Sequence, residues 1–544
     1  MHRLRLAVVV ALGSLAALAC LAPAAGAQTR AGTTRLVAQA LSGLGGRSAV
    51  TGLRTFRLQT TGRTFIFDEG PKPDDEVIPA STFTQTLNVE LRAAGDRLRA
   101  DSVRTSQGAA RTVSEVLKGR LGYISGVDAN GGRPATTAMT SDRWAAVRRE
   151  QRLLNPQLLL RDVIRRPALA TTAPPTTLRG RPHRLLVIND DVAPIRLYVD
   201  SATGRIDRLS TEDHQYLRRD VRLIVDFGGW RFVRPATGGA RVRFPRTASI
   251  RLDGKVIHTE TRTAIAVNRP ASAARFRFPA GIAPAFDAKL AARGAATTEW
   301  LMSFAQDGFP KDGPADQIVP RVVAPGSTLI QGIPNNSMIV EQSNGVVVVE
   351  GALSDFRAEA LISYINRTYP GKPIRYVTAS HHHADHAGGM RPFVALGATA
   401  VIGADAVPLF RRVFGDRSSR LLPDRLDGKE TNATIRPVNA GSVVTLTDAV
   451  RPVIVLPETT QHASTTILVF VPDQGVLFVN GDTYTPGGPF GPGARSLEQT
   501  IEANGLAVRW IVGGHGTVVP YATFRAGLSG DLSGEELRAW LRLL

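Results

Sequence analysis

The sequence predicts an α+β protein with two domains. The first is a mostly antiparallel β domain with few helices, and the second is an α/β layered domain. The chain has 544 residues, more than one hydrophobic core usually organises. Runs that alternate apolar and polar residues dominate residues 28 to about 300, as in 82–91. After residue 326, strand-like and helix-like segments alternate, which is typical of layered α/β structure.

The first 27 residues have the pattern of a secretory signal peptide. Basic residues precede an apolar segment (6–22), and small residues provide a cleavage site after Ala27. We therefore predict an exported protein, either periplasmic or secreted. Lipoprotein anchoring through Cys20 is the less favoured alternative, because no large aliphatic residue stands three positions before it. Cleavage removes the only cysteine, so the chemistry of the mature chain depends on nitrogen and oxygen groups.

The composition, with 43% apolar and 21% charged residues, is that of a globular protein rather than a disordered or polytopic membrane protein. The net charge of +19 is unevenly placed. Residues 28–325 contain 46 basic and 28 acidic residues, whereas residues 326–544 contain 18 and 19. Nucleic-acid processing is an alternative that the predicted export makes less likely, so a nucleic-acid partner is not expected. The basic excess instead favours an acidic envelope component, bound by the N-terminal domain.

The predicted N-terminal domain spans residues 28–310. It begins with a helical pattern at 36–44, and residues 141–166 are predicted to form a helix. Strand-like runs lie at 82–91, 184–188, 195–199, 222–226 and 261–267. Its isolated histidines are interpreted as structural, and we expect a separately folding module that binds a partner or shields an active site. A segment rich in Asp, Gly and Pro, 311–325, is predicted to be a linker.

The second domain, residues 326–544, begins with a predicted hairpin. Its strands, 337–341 and 346–349, flank the turn signal Ser343-Asn344-Gly345. The remaining predicted elements are helix 358–365, strand 374–378, helix 389–396, strand 398–403 and helix 404–414.

The feature that carries chemistry follows the strand 374–378. Residues 381–386 read His-His-His-Ala-Asp-His, so four of the ten histidines of the chain fall within six residues. A loop leaving a strand can aim His381 and His383 at one metal ion while Asp385 and His386 turn toward a second. Imidazole and carboxylate groups are ligands that suit zinc. His382 points the opposite way if the loop is extended, so we do not count it as a ligand.

Three further ligand-type residues follow apolar runs downstream. They are His462 after 453–456, Asp482 after 476–480, and His515 after 510–514. Each alone is weak evidence, because a single His or Asp at a strand end is usually structural. In this order after the first cluster, they predict a metal centre.

Residues 326 to about 530 resemble the metallo-β-lactamase superfamily of metallohydrolases. The resemblance implies an αββα sandwich, in which helices flank two central sheets and the metal site lies at one edge. It also implies two ligand groups and a bridge: His381, His383 and His462 at the first metal, Asp385, His386 and His515 at the second, and Asp482 between them.

The resemblance and the ligand types predict an exported zinc-dependent metallohydrolase with two zinc ions per chain. A metal-bound hydroxide would attack an ester, amide or lactam, thioester or phosphoester bond of a small-molecule substrate. Asp385 is expected to orient this nucleophile and later to protonate the leaving group. Tyr484 is a candidate donor to the oxyanion or the leaving group, and a packing role for it is equally compatible with the sequence.

Two departures from the family pattern lie beside the site. Glu350-Gly351 stands where the family usually has Asp-Gly, and Ala463-Ser464-Thr465 stands where it usually has Thr-x-Gly. We expect Glu350 to remain a hydrogen-bond acceptor behind the ligands. Neither departure removes a ligand, so both concern the substrate more than activity.

Several alternatives stay open at this point. A mononuclear iron dioxygenase that acts on a persulfide shares the same ligand motif, so iron is an alternative metal. Flavo-diiron oxidoreductases of the superfamily typically have Glu at the position of His383, which favours hydrolysis here. A β-lactamase with only His and Asp ligands is a further alternative. An envelope binding protein with a structural metal is disfavoured, because structural zinc sites are usually closed by cysteines.

Overall fold

A computed structural model gives the arrangement of most of the chain. The residues that it describes are 22–93, 95–106, 108–126, 135–270, 272–298, 317–332, 335–416, 421–429 and 433–530. Most of the predicted signal peptide, up to residue 21, lies outside them, as do residues 311–316 of the predicted linker. The predicted cleavage site after Ala27 falls within the first described helix, Ala22–Gly43.

The N-terminal region combines many strands with few helices. Its helices are α1 (Ala22–Gly43), α2 (Arg47–Thr51), α3 (Ser141–Leu154), α4 (Pro156–Arg165) and α5 (Ala288–Ala296). Its strands are β1 (Thr55–Ile66), β2 (Ile78–Glu90), β3 (Arg97–Ser106), β4 (Ala109–Lys118), β5 (Leu121–Gly126), β6 (Ala135–Ala138), β7 (Ala170–Leu178), β8 (Arg181–Ile188), β9 (Ile195–Asp200), β10 (Ile206–Gln215), β11 (Arg219–Gly228), β12 (Arg231–Val233), β13 (Val242–Phe244), β14 (Thr247–Leu252) and β15 (Lys255–Val267).

Thirteen of these strands form one antiparallel sheet. Their order is β6-β5-β4-β3-β2-β1-β15-β14-β11-β10-β9-β8-β7, so the last long strand, β15, pairs with the first. One face of the sheet is buried against helices and the other is exposed, so apolar and polar residues alternate along the strands. This alternation is the pattern from which the strands were predicted. Leu186, Leu197 and Leu209 on that face are fully buried against Leu44, in the turn between α1 and α2, and Leu160 of α4.

The helix predicted over 141–166 is interrupted. Asn155 has φ −127° and ψ 85°, and a new helix, α4, begins at Pro156. A residue before proline is pushed away from helical geometry, which explains the break. None of the described helices is long and apolar enough to cross a membrane.

The C-terminal region has the strands β16 (Val319–Ala324), β17 (Ser327–Gln331), β18 (Ser337–Gln342), β19 (Gly345–Val349), β20 (Ile374–Thr378), β21 (Thr399–Gly403), β22 (Ile435–Val438), β23 (Val444–Leu446), β24 (Val453–Pro457), β25 (Ile467–Val471), β26 (Val476–Val479), β27 (Trp510–Gly513) and β28 (Val518–Pro520). Its helices are α6 (Asp355–Thr368), α7 (Ala384–Ala387), α8 (Met390–Ala395), α9 (Val407–Gly415), α10 (Pro492–Ala503) and α11 (Tyr521–Ser529). The predicted hairpin, β18–β19, is confirmed. Residues 319–324 of the predicted linker form β16, which pairs with β17.

These elements form an αββα sandwich. Strands β16 to β22 make one sheet and β23 to β28 make the other, each in sequence order. Between the sheets lies an apolar layer that includes Val347 and Val401 from the first and Val469 and Phe478 from the second. Helices α6, α8 and α9 cover the outer face of the first sheet, and α10 and α11 cover that of the second. The predicted fold class, including this sandwich, is confirmed.

The turn between β10 and β11 contacts the sandwich. Leu217 is fully buried within the apolar cluster that lies under α6 and α9. Arg219, also fully buried, binds Asp355 at the start of α6 at 2.6 Å and Asp424 at 2.9 Å. The two regions are therefore joined by both apolar packing and buried ion pairs.

Candidate metal centre

All seven ligand-type residues predicted from the sequence lie in loops that leave the same edge of the sandwich. Residues 381–386 follow β20 of the first sheet. In the second sheet, His462 follows β24, Asp482 follows β26 and His515 follows β27. Strand ends of two packed sheets meet at one edge, which brings together residues that are more than 130 positions apart in the chain.

The loop 380–387 orders its side chains by turning into a short helix. His383 precedes α7, and its carbonyl oxygen accepts hydrogen bonds from His386 N and Ala387 N at 3.1 and 3.0 Å. This turn separates the direction of His383 from that of His386. Gly388, which follows, has no room for a side chain, because a Cβ there would lie 2.3 Å from the Leu353 carbonyl oxygen.

The first group of ligand atoms belongs to His381, His383 and His462. One nitrogen of each ring lies within 4.8 Å of the others. The Nε2 atoms of His381 and His462 are 3.2 Å apart. His381 and His383 are buried, whereas the side chain of His462 is 32% exposed, so this group opens to solvent on the side of His462.

The second group belongs to Asp385, His386 and His515. The Nε2 atoms of His386 and His515 are 3.1 Å apart, and each lies 3.3 Å from Asp385 Oδ2. Two ring nitrogens and a carboxylate oxygen thus converge on one point. One potential ligand atom of each of these three residues lies within 4.8 Å of the other two.

Asp482 lies between the two groups. Its Oδ2 atom is 3.0 Å from His386 Nε2, 3.5 Å from His462 Nε2 and 3.7 Å from His381 Nε2. Its Oδ1 atom lies 3.5 Å from His515 Nε2. One carboxylate therefore faces ligands of both groups, which is the placement that a bridging ligand requires.

Close packing brings Asp482 and His515 together. Gly481 adopts a φ of 95°, and a Cβ on it would lie 2.4 Å from His515 N. Only glycine combines this left-handed backbone with such a close approach. The glycine before Asp482 is thus required by the contact between two strand ends.

Glu350 supports the ligands from behind, as expected. It is fully buried, and His386 Nδ1 donates a hydrogen bond to its Oε1 at 2.7 Å. Ser380 N donates to its Oε2 at 2.6 Å. Because Nδ1 of His386 is the donor, the Nε2 atom of a neutral ring presents its lone pair to the site.

Sequence reasoning missed two asparagines that precede β18. Asn335 is buried, and its Nδ2 atom donates to Asp385 Oδ2 at 3.0 Å. Asn336 Nδ2 donates to the carbonyl oxygens of Gly513 and Gly516 at 2.9 and 3.0 Å, which holds the loop that carries His515. An Asn-Asn pair directly before a buried strand was the available signal.

Sequence reasoning also missed a loop of the N-terminal region. Glu69 Oε2 lies 3.1 Å from His383 Nδ1, and His383 Nε2 lies 2.9 Å from the carbonyl oxygen of Gly70. Glu69, His383 and Asp385 form a further group of candidate ligands within 4.8 Å. The acidic turn Asp-Glu-Gly-Pro between two strand patterns gave only a weak signal, because such turns are common on surfaces.

Electrostatics show how strongly these groups depend on each other. Partial burial raises the pKa of Asp482, whose side chain is 26% exposed, but the nearby His515 and His386 lower it to about 2. Burial lowers the pKa of His386, but the carboxylates of Asp385 and Glu350 outweigh it and hold the pKa well above its usual value. Burial and the neighbouring His386 lower the pKa of His381 far below the usual value, so this ring stays neutral.

The donor set fits a metal ion. Neutral imidazole nitrogens at 3.1 to 3.2 Å from each other would repel unless a proton or a cation lies between them. The Oδ1 atom of Asp385 is buried and finds no hydrogen-bond partner among the described residues. Nitrogen and oxygen donors in this arrangement suit zinc or iron.

His382 and Tyr484 do not join these groups. His382 Nδ1 contacts Thr465 Oγ1 at 2.8 Å, so this ring turns away from the ligands, as expected. Tyr484 is 4% exposed, and its ring stacks on Phe490 and packs edge-on against Phe524. These are packing contacts, and the catalytic role of Tyr484 stays a prediction.

A comparison with protein families agrees with this geometry. Residues 330–490 match the family model of the metallo-beta-lactamase superfamily. This part of the chain is therefore similar to the metallo-beta-lactamase superfamily, whose members include metal-dependent hydrolases and oxidoreductases. No curated protein matches the chain.

Solved structures that are similar to part of the chain include two metallo-beta-lactamases and a flavodiiron protein. DIM-1 metallo-beta-lactamase is 17% identical, with 39% of this chain and 96% of that chain covered and a TM-score of 0.29. A metallo-beta-lactamase from Pontibacter korlensis is 15% identical, with 41% and 99% covered and a TM-score of 0.30. The flavodiiron protein from Giardia intestinalis is 17% identical, with 39% and 60% covered and a TM-score of 0.30.

Proposed function

We propose that this protein is an exported zinc-dependent hydrolase of small molecules. The observation that carries the proposal is the convergence of five imidazoles and two carboxylates in two groups that share Asp482. A centre built from His and Asp alone, partly open to solvent at His462, is of the catalytic kind rather than the structural kind.

His381, His383 and His462 would hold one zinc ion, and Asp385, His386 and His515 would hold the other, with Asp482 between them. Bound zinc supplies a water of lowered pKa and polarises the bond under attack. The chain positions these groups through Glu350, which fixes His386, and through Asn335, which fixes Asp385.

Asp385 is the candidate proton carrier. Its Oδ2 atom is held by Asn335 and lies next to two histidines, whereas its Oδ1 atom has no partner among the described residues. Oδ1 can therefore accept a proton from the attacking water and pass it to the leaving group.

Export and a partner remain part of the proposal. The basic first residues and the apolar segment 6–22 support cleavage after Ala27. The excess of basic residues in 28–325 supports an acidic envelope component as the partner of the N-terminal region.

The first test measures metal and activity together. The mature chain, stripped with a chelator and reloaded with zinc or iron, is assayed by elemental analysis and with chromogenic ester, lactam, thioester and phosphodiester substrates. We expect close to two zinc ions per chain and hydrolysis that disappears on chelation. His381→Ala should lose bound metal, whereas His382→Gln, in the same loop, should retain it.

Two outcomes would overturn the proposal. A mature chain that binds no transition metal would contradict the metal centre. Activity that appears only with iron and consumes oxygen would replace hydrolysis with oxygenation.

A further inference from the structure

The loop between β1 and β2 extends from the N-terminal sheet into the metal centre. Glu69 is largely buried, with 12% of its side chain exposed. Its Oε2 atom lies 3.1 Å from His383 Nδ1, and its Oε1 atom is buried without a hydrogen-bond partner among the described residues. A buried carboxylate with an unpartnered oxygen is costly unless a cation or a proton joins it.

The hydrogen bonds of His383 determine which of its two ring nitrogens carries a proton. The carbonyl oxygen of Gly70 can only accept a hydrogen bond, so the 2.9 Å contact places a proton on His383 Nε2. If the ring is neutral, Nδ1 carries a lone pair that points at an acceptor, Glu69 Oε2. The 3.1 Å contact then needs a positive centre between the two atoms: either a proton, which makes His383 a cation paired with Glu69, or a metal ion.

Ion pairs and hydrogen bonds from several elements hold the loop in this position. Arg218 binds Asp68 at 2.6 Å near the start of the loop and Asp74 at 2.6 Å near its end, which closes it. Lys255 donates to the Asp74 carbonyl oxygen at 2.8 Å. Arg412 of α9 in the sandwich binds the same Asp74 at 2.5 Å.

A hydrogen bond to the loop that carries His462 also holds the β1–β2 loop in place. Ser464 N, two residues after His462, donates to the carbonyl oxygen of Pro71 at 2.8 Å. The loop therefore contacts both His383 and the segment that carries His462. These are two of the three predicted ligands of the first metal.

We propose that Glu69 is itself a metal ligand, supplied by the N-terminal region to the first metal beside His383. This inference rests on the proposed metal centre. Glu69, His383 and Asp385 already place one candidate ligand atom each within 4.8 Å of the others. The carbonyl of Gly70 fixes the ring of His383 so that Nδ1 faces the metal, which is the usual role of an outer hydrogen-bond partner.

The experiment compares metal affinity in the full mature chain and in Glu69→Gln, which keeps the size of the side chain but removes its charge. Affinity is measured by competition between the protein and a chromogenic zinc chelator, and the cobalt-substituted forms are compared by visible absorption. We expect zinc affinity to fall by about tenfold or more and the cobalt spectrum to change. Glu76→Gln, an exposed residue of the same loop, is the matched control and should change neither.

The outcomes separate this inference from the proposed function. If the wild-type chain binds no metal, the metal centre itself is refuted, and Glu69 with it. If the wild-type chain binds zinc but Glu69→Gln has the same affinity and cobalt spectrum, only the ligand role of Glu69 is refuted. Circular dichroism of the Glu69→Gln protein shows whether this variant is folded. If it is not folded, Glu69→Asp takes its place: this variant keeps the carboxylate and should retain part of the zinc affinity.

Discussion

At the scale of single residues, Glu350 shows how one side chain orders the centre. It stands at a strand end with a φ of 70°, in the left-handed region, and is fully buried. Its carboxylate accepts hydrogen bonds from Ser380 N and His386 Nδ1 at once. Glu350 therefore links Ser380, the first residue of the loop 380–387, to His386, the last candidate ligand in that loop.

Replacing Glu350 by Gln is expected to weaken metal binding by about 10- to 100-fold, because an amide nitrogen would face a donor that needs an acceptor. The measurement is zinc affinity by chelator competition. Glu341→Gln, on the same hairpin but paired with the half-exposed Lys372, is the control and should bind zinc normally. Equal affinities of the two variants would contradict a role for Glu350 in orienting His386.

At the scale of elements, the loop that carries His462 is closed by its own ends. Glu458 N, just after β24, donates to the carbonyl oxygen of Thr466 at 2.9 Å. The Glu458 side chain is 4% exposed, and neither of its carboxylate oxygens has a hydrogen-bond partner among the described residues. Burial raises the pKa of Glu458 to about 7, from a usual value of 4.5.

This raised pKa predicts a pH-dependent stability. The folded state favours the protonated carboxyl, so its stabilising contribution is complete below about pH 4.5 and is lost as the pH rises through 7. Relative to Glu458→Gln, the wild-type chain should lose about 3 kcal/mol of unfolding free energy between pH 4 and pH 8. Urea unfolding of both proteins at each pH measures this, and a difference that does not vary with pH would contradict it.

At the scale of the whole molecule, the two regions share a buried ion-pair network. Arg219 of the N-terminal sheet binds Asp355 and Asp424 of the sandwich. Arg391 also binds Asp424, at 2.5 Å. Together with Leu217, which is buried beside α6, these contacts join the thirteen-stranded sheet to the sandwich.

Removing the charge of Arg219 is expected to destabilise the whole chain. Arg219→Met leaves two buried carboxylates with too little positive charge, which costs about 3–5 kcal/mol. The control is Arg425→Met, because Arg425 pairs with Glu359 in solvent and such pairs contribute about 1 kcal/mol or less. Thermal and urea unfolding measure both variants, and equal losses would contradict the importance of the buried network.

Much of the architecture was predictable because it depends on local patterns. The hairpin 337–349 has a turn signal between apolar strands, and strand 374–378 is predicted with the bounds that the structure shows. The interruption at Asn155 was missed, although Pro156 marks it, because apolar spacing continues across it. Within the predicted linker, Val319–Ala324 forms a short strand that only its pairing with β17 defines.

The sequence by itself determined the fold class and the ligand-type residues, because periodicity and ligand chemistry are properties of short segments. Only the tertiary structure decided what stands opposite those ligands. Asn335 at Asp385 and Glu69 at His383 come from segments far from the motif, and the local sequence marks both of them only weakly. Their positions follow from how the two sheets of the sandwich pack and how the β1–β2 loop is fastened against it, which are long-range contacts.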